Sequence, residues 1–135
     1  MLTEGQARDG ISALVSRLDE MGWTVRFSST EHDAAYFQSK EICIRNTVTL
    51  EHQLYTLCHE LGHVLIGVKD DEVEPTIKKR RTVRFRVDTV VCEVRAWDLG
   101  AQYARVLGVK IDENEYAKYS SRFLIQWFAW SQVVI

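Results

Sequence analysis

Apolar residues near the start of the chain recur at the spacing of one helical face. They are Ile11, Leu14, Val15 and Leu18. Because a helix turns once every 3.6 residues, these side chains lie together, and Gly22 follows as a natural stop. The pattern predicts an amphipathic helix over residues 5–21.

Three short stretches after this helix have the pattern of strands. Residues 23–27 alternate apolar and polar side chains, which is typical of a half-buried strand. Residues 35–38 and 41–45 are similar, and Ser39-Lys40 fits a turn between them. Successive short strands of this kind predict a β meander.

The hydrophobic period returns to that of a helix between residues 49 and 66. The apolar stripe consists of Leu50, Leu54, Leu57, Leu61, Val64 and Leu65. Thr49 is a suitable N-cap, and Glu51 complements the positive end of the helix dipole. Gly67 is a suitable C-terminal stop, so we expect a second helix here.

Residues 69–86 differ in composition from the rest of the chain. Acidic residues at 70–74 precede Pro75, the only proline, and a basic run over Lys78–Arg86 follows. Charge runs are usually solvated. We therefore expect an exposed loop, with a short strand at Val83–Val87.

Two further helices are predicted after this loop. Asp88 or Thr89 can cap a helix over residues 90–107, which Gly108 ends. Asp112, with a glutamate three residues later, has the spacing of a capping box. The last helix begins there and includes the apolar residues Tyr116, Phe123, Leu124, Trp127 and Phe128.

The predicted order of elements is a helix, a β meander and three more helices, which is α+β. The chain has 135 residues, of which 46% are hydrophobic and 27% charged, as in an ordinary globular protein. This length fits one domain. We expect residues 1–135 to form a single domain.

The net charge and the cysteines limit the partners and the cellular compartment that we expect for the protein. The net charge of −2 gives no overall field toward nucleic acid or membrane. We see neither a signal-peptide pattern nor an apolar run near the ~18 residues of a membrane span. Cys43, Cys58 and Cys92 form no CxxC pair, which favours reduced thiols and a cytoplasmic protein.

The motif that carries chemistry is HExxH, formed by residues 59–63 inside the second predicted helix. His59 and His63 lie one turn apart on the same face, so both imidazoles can bind one Zn²⁺. Glu60 points elsewhere and can act as general base on water. Gly62 costs helix stability and would let another backbone approach beside the metal.

Glu93 is the preferred third zinc ligand. Small residues follow it at helical spacing: Ala96, Gly100 and Ala104. Small side chains let two helices approach closely, so a carboxylate on one can reach a metal on the other, with Trp97 as a wall. Asp98 is the next candidate, on a different face of the same helix.

Other residues stay open as ligands on the sequence alone. No histidine follows His63, so His32 and His52 are the remaining imidazoles. His52 lies ~10 Å from His59 along the helix axis, too far to share the metal easily. Cys58 and Cys92 adjoin proposed ligands but point aside, as buried small hydrophobes.

The segments TLEHQLYTLCHELGHVLIG and EVRAW resemble the ImmA/IrrE family of zinc metallopeptidases. The resemblance covers roughly residues 35–107. It implies a small gluzincin-like α+β domain of the zincin type in which His59, His63 and Glu93 hold Zn²⁺ and Glu60 activates water. It also implies a protein substrate, such as a repressor of a phage or mobile element. The sequence DLGAQYARVLGV after EVRAW departs from the family pattern.

A peptidase of this type needs a second group to stabilise the oxyanion. The sequence does not rank the candidates, which are Tyr103, Tyr116, Tyr119 and Arg84.

Two alternative functions compete with proteolysis. The first is a zincin-fold regulatory protein that binds its target without hydrolysis. The second is nucleic-acid contact through Lys78–Arg86, which would be sensitive to salt. The aromatic residues Trp127, Phe128 and Trp130 cannot share one narrow face, so the last helix could also form a homo-oligomer surface.

Overall fold

The computed structural model of the protein describes residues 1–67 and 82–132. Its elements, in chain order, are α1 (Glu4–Glu20), β1 (Thr24–Ser28), β2 (Ala34–Tyr36), β3 (Glu41–Arg45), α2 (Leu50–Ile66), α3 (Val83–Val106) and α4 (Glu113–Ser131). The predicted α+β class is confirmed, and a helix precedes a small sheet that is followed by the HExxH helix α2.

The strand order differs from a meander. The sheet has the order β1-β3-β2, with β1 parallel and β2 antiparallel to β3. Ile42, Cys43 and Ile44 of β3 are all fully buried. A strand with consecutive buried residues is covered on both faces and takes the centre of a sheet. The prediction was wrong because nearness in sequence does not fix which strands pair.

The ends of α2 follow from its own sequence. The backbone N–H of His52 donates to Thr49 Oγ1 at 3.2 Å, which confirms Thr49 as the N-cap. Gly67 has a φ of 79°, a conformation that favours glycine over residues with a Cβ. The predicted stop of the ligand helix is therefore confirmed.

The third helix, α3, begins seven residues before the predicted start, and the predicted strand at Val83–Val87 is wrong. Thr82 is the N-cap, because its Oγ1 accepts the N–H of Phe85 at 3.2 Å. Arg86 is buried and donates to the backbone carbonyl of Trp130 on α4 at 3.1 Å. Capping and packing against α4 together stabilise a helix here. The rest of the predicted loop, residues 69–81, lies outside the described residues.

The helices α2 and α3 pack with their backbones in contact. A Cβ added to Gly62 would lie 1.9 Å from the carbonyl oxygen of Ala96. A Cβ added to Gly100 would lie 1.8 Å from the carbonyl oxygen of Cys58. No side chain fits at either position, so the predicted close approach along the small-residue stripe is confirmed. This contact brings a carboxylate on α3 within reach of the histidines on α2.

The core surrounds α2 and includes side chains from α1, the sheet, α3 and α4. Its fully buried residues include Leu54, Leu57, Leu61 and Ile42, and Trp97 is only 2% exposed. Within the described ranges, no helix has both the length and the apolar character needed to cross a membrane.

Candidate metal centre

Two helices bring three potential ligands to one point. His59 and His63 project from α2, and Glu93 projects from the facing side of α3. His59 Nε2 lies 2.8 Å from Glu93 Oε2 and 3.0 Å from His63 Nε2. His63 Nε2 lies 3.3 Å from Glu93 Oε1. One ligand atom from each residue falls within 4.8 Å of the other two.

This donor set fits a divalent metal ion. Tetrahedral ligands at zinc distances lie about 3.3 Å from one another, close to the separations between these atoms. Two imidazoles and one carboxylate form a common ligand set of catalytic zinc, which leaves one position for water. The group can therefore hold a metal with small side-chain adjustments.

The charges of the three groups favour a cation. Burial alone would raise the pKa of Glu93, but hydrogen bonds from His59 and His63 outweigh it and lower that pKa to about 2. Burial alone would lower the pKa of His63, but hydrogen bonds with Cys92 and Glu93 raise it to about 10. The lowered pKa of Glu93 favours its ionised form, and a metal ion can replace the proton that the raised pKa favours on His63.

Aromatic packing fixes the orientation of the first histidine. The His59 ring stacks on Trp97 with 4.2 Å between centroids and 4° between planes. Trp97 walls the site, as the sequence predicts. A ring held in this way pre-orients its nitrogen toward the metal position.

Glu60 lies beside this group but outside the ligand set. Its residue is 5% exposed, and Oε1 is 3.6 Å from His59 Nδ1. Burial raises the pKa of this carboxyl group, although the nearby histidines act in the opposite direction. A carboxyl group with a raised pKa is suited to accept and release a proton.

The ligands open into a cleft of about 500 Å³, a volume typical of ligand sites. Its floor contains the three ligand side chains and Glu60. His32 and Asp33, from the connection between β1 and β2, line it as well, and α4 contributes Phe123, Gln126 and Trp127. Another cavity, of about 300 Å³, lies between α3 and α4. No described residue lines both cavities.

The alternative ligands lie elsewhere. His52 Nε2 lies 3.2 Å from Glu115 Oε1, and its ring stacks on Tyr119. His32 lines the cleft but is not in the ligand group. Asp98 is exposed and lines the second cavity.

The cysteines next to the ligands behave differently from each other. Cys58 is fully buried, and burial raises the pKa of its thiol to about 12, as expected for a small core residue. Cys92 is only partly buried, and its thiol is among the groups that raise the pKa of His63. The prediction of a buried Cys92 is therefore wrong, whereas that of a buried Cys58 is confirmed.

The proposed oxyanion candidates lie outside the lining of the cleft. Tyr103 accepts a hydrogen bond from Arg17, and the Tyr116 hydroxyl donates to the carbonyl of Trp97 at 2.5 Å. The Tyr119 hydroxyl lies 3.0 Å from Thr56 Oγ1.

In the described part of the basic run, the two arginines are either paired with an acid or buried, so they present little positive charge for a nucleic acid. Arg84 is exposed but pairs with Asp88 at 3.2 Å. Arg86 is buried against Trp130. Residues 78–81 lie outside the described ranges, and nucleic-acid contact through this segment stays a prediction.

Comparison with known families gives one match. Residues 11–89 match the M78 peptidase family, described as the IrrE N-terminal-like domain. The match covers more than half of the chain and includes the whole HExxH motif, and it ends four residues before Glu93. No curated protein and no solved structure matches the chain.

Proposed function

We propose a zinc-dependent peptidase activity from one premise: the chain belongs to the M78 peptidase family, the IrrE N-terminal-like domains. One observation carries the proposal. Two imidazoles on α2 and a carboxylate on α3 converge beside a buried glutamate, at the floor of a cleft. Peptidase chemistry needs this combination of a metal site, a base and space for substrate.

His59, His63 and Glu93 are the residues that would hold the ion. Zn²⁺ bound there would supply Lewis acidity, which polarises a scissile carbonyl and makes water more acidic. The donor types and their separations support zinc over magnesium or calcium, which prefer oxygen ligands.

Glu60 is the proposed general base. Its carboxylate takes a proton from the attacking water and returns that proton to the nitrogen of the leaving amine. The raised pKa supports this role, because a base must hold the proton between the two steps. The amide bond breaks, water adds across it, and Glu60 ends in its starting state.

His32 is the proposed donor to the developing oxyanion. It lines the cleft together with Glu60 and the ligands. The loop around it is anchored, because Asp33 Oδ1 accepts the backbone N–H of Arg45 at 2.6 Å and the N–H of Glu31 donates to Ser28 Oγ at 3.1 Å. An imidazole N–H on an anchored loop can donate to an oxygen as its charge grows.

A protein segment is the proposed substrate, as expected for a member of a peptidase family. The family resemblance of HELGH and EVRAW implies a regulatory protein of the repressor type. Free cysteines at 43, 58 and 92 support a reducing compartment such as the cytoplasm.

The proposed function is tested by digestion of a random peptide library, with cleavage sites identified by mass spectrometry. We expect cleavage with Zn²⁺ and none after chelation. Glu60→Gln keeps the shape of the side chain and should lower the rate by ~10²–10⁴-fold while zinc content stays that of the wild type. Wild-type rates in this variant with zinc bound would remove Glu60 from the mechanism.

A further inference from the structure

One side of the cleft is an aromatic wall that starts at a proposed metal ligand. The Trp97 ring lies against His59, and Phe123 stacks on Trp97 with 5.6 Å between centroids and 25° between planes. Trp127 is one helical turn beyond Phe123 and lines the same cavity. Aromatic side chains therefore line the cleft both at the proposed ligands and along α4.

The lining groups contributed by α4 and by the connection between β1 and β2 differ in chemistry. All three α4 side chains that line the cleft are uncharged: Phe123, Gln126 and Trp127. The connection between β1 and β2 contributes the imidazole of His32 and the carboxylate of Asp33. The cleft therefore combines an uncharged, largely aromatic lining from α4 with ionisable groups from this connection.

Only part of the aromatic surface of α4 belongs to the wall. Phe128, the residue after Trp127, is 60% exposed and does not line the cleft, and Ile125 is 68% exposed. Trp127 is partly buried, and its ring contacts Trp130 at 5.5 Å. The wall thus consists of the aromatic residues of α4 that line the cleft. Phe128, an aromatic residue of the same helix outside the lining, is a natural control for substitutions in the wall.

We propose that Phe123 and Trp127 form a specificity pocket for a large apolar side chain next to the scissile bond. The proposal rests on the proposed peptidase function and adds the class of substrate. A leucine, methionine or aromatic side chain would bury apolar surface against this wall, whereas glycine or a charged residue would not.

Binding of matched inhibitors tests the pocket without hydrolysis. The probes are two peptide hydroxamates that differ only in a leucine or a glycine side chain beside the hydroxamate, which chelates zinc. Calorimetry on the zinc-loaded protein should show the leucine compound binding on the order of ten- to a hundredfold tighter. Trp127→Ala should reduce this ratio several-fold, and Phe128→Ala should leave it unchanged.

The outcomes separate the pocket from the proposed function. Equal affinity for the two compounds, or a ratio that Trp127→Ala does not change, would overturn the pocket while the metal site stands. Binding of neither compound would contradict the metal site and with it both proposals. The wild-type ratio requires no variant, so it decides the question independently of how Trp127→Ala folds.

Discussion

Glu60 and Glu93 lie beside the same two histidines, but their carboxyl groups have different environments. Burial raises the pKa of Glu60. Burial acts in the same direction on Glu93, but hydrogen bonds from His59 and His63 reverse the effect and lower its pKa to about 2. Carboxyl groups whose pKa values move apart in one site usually have separate roles. Glu93, whose low pKa favours the carboxylate form, suits a metal, and Glu60 suits proton transfer.

Among single residues, substitution of His32 gives a prediction that separates an effect on catalysis from an effect on folding. If its N–H stabilises the oxyanion, His32→Ala should lower kcat by ~10²–10³-fold with little change in KM. Zinc content and the unfolding temperature should stay at wild-type values, because His32 is exposed and outside the ligand set. A change in KM alone would indicate substrate binding and would contradict the oxyanion role.

At the scale of elements, the contact between α2 and α3 determines the site. Gly62 and Gly100 let the two backbones touch, and this proximity brings Glu93 to the histidines of α2. Any side chain at these glycines must push the helices apart. The grouping of these three side chains is therefore a consequence of helix packing as much as of the motif.

Substitution of Gly62 tests this dependence. Gly62→Ala places a Cβ against the backbone of Ala96, and we expect it to lower the free energy of unfolding by about 3 kcal/mol or more. Gly5→Ala is the matched control, since a Cβ there meets only Thr3 Oγ1, at 3.9 Å. The control should be neutral or stabilising by up to ~1 kcal/mol. Urea unfolding measures both, and equal stability of the two variants would contradict the close contact.

Elements with local determinants were predictable from the sequence. The ends of α2 follow from Thr49 and Gly67, and Gly62 with the small residues of α3 indicates the helix contact. The predicted start of α3 was too late because the charged composition of residues 69–86 is typical of an exposed loop. Thr82 as an N-cap and the spacing of four between Arg84 and Asp88 are signals that favour a helix there.

At the scale of the whole molecule, the sequence shows which residues can bind metal but not what surrounds them. The position of β3 between β1 and β2 depends on pairing across the sheet. His32 precedes HExxH in the chain and Trp127 follows it, both line the cleft, and no periodicity connects either of them to the motif. The candidate ligands can therefore be predicted from the sequence, whereas the other residues that line the cleft require the fold.

The central claim is that His59, His63 and Glu93 together bind one zinc ion. The most direct test is the zinc affinity and stoichiometry of the purified protein beside Glu93→Ala and Asp98→Ala, which remove carboxylates from the same helix. Asp98 is exposed and lies at another cavity. We predict one zinc per chain in the wild type and in Asp98→Ala. In Glu93→Ala, the affinity for zinc should fall by more than the ~10–100-fold that is typical when a residue that only supports a ligand is replaced. Equal affinity in Glu93→Ala and Asp98→Ala would contradict the account.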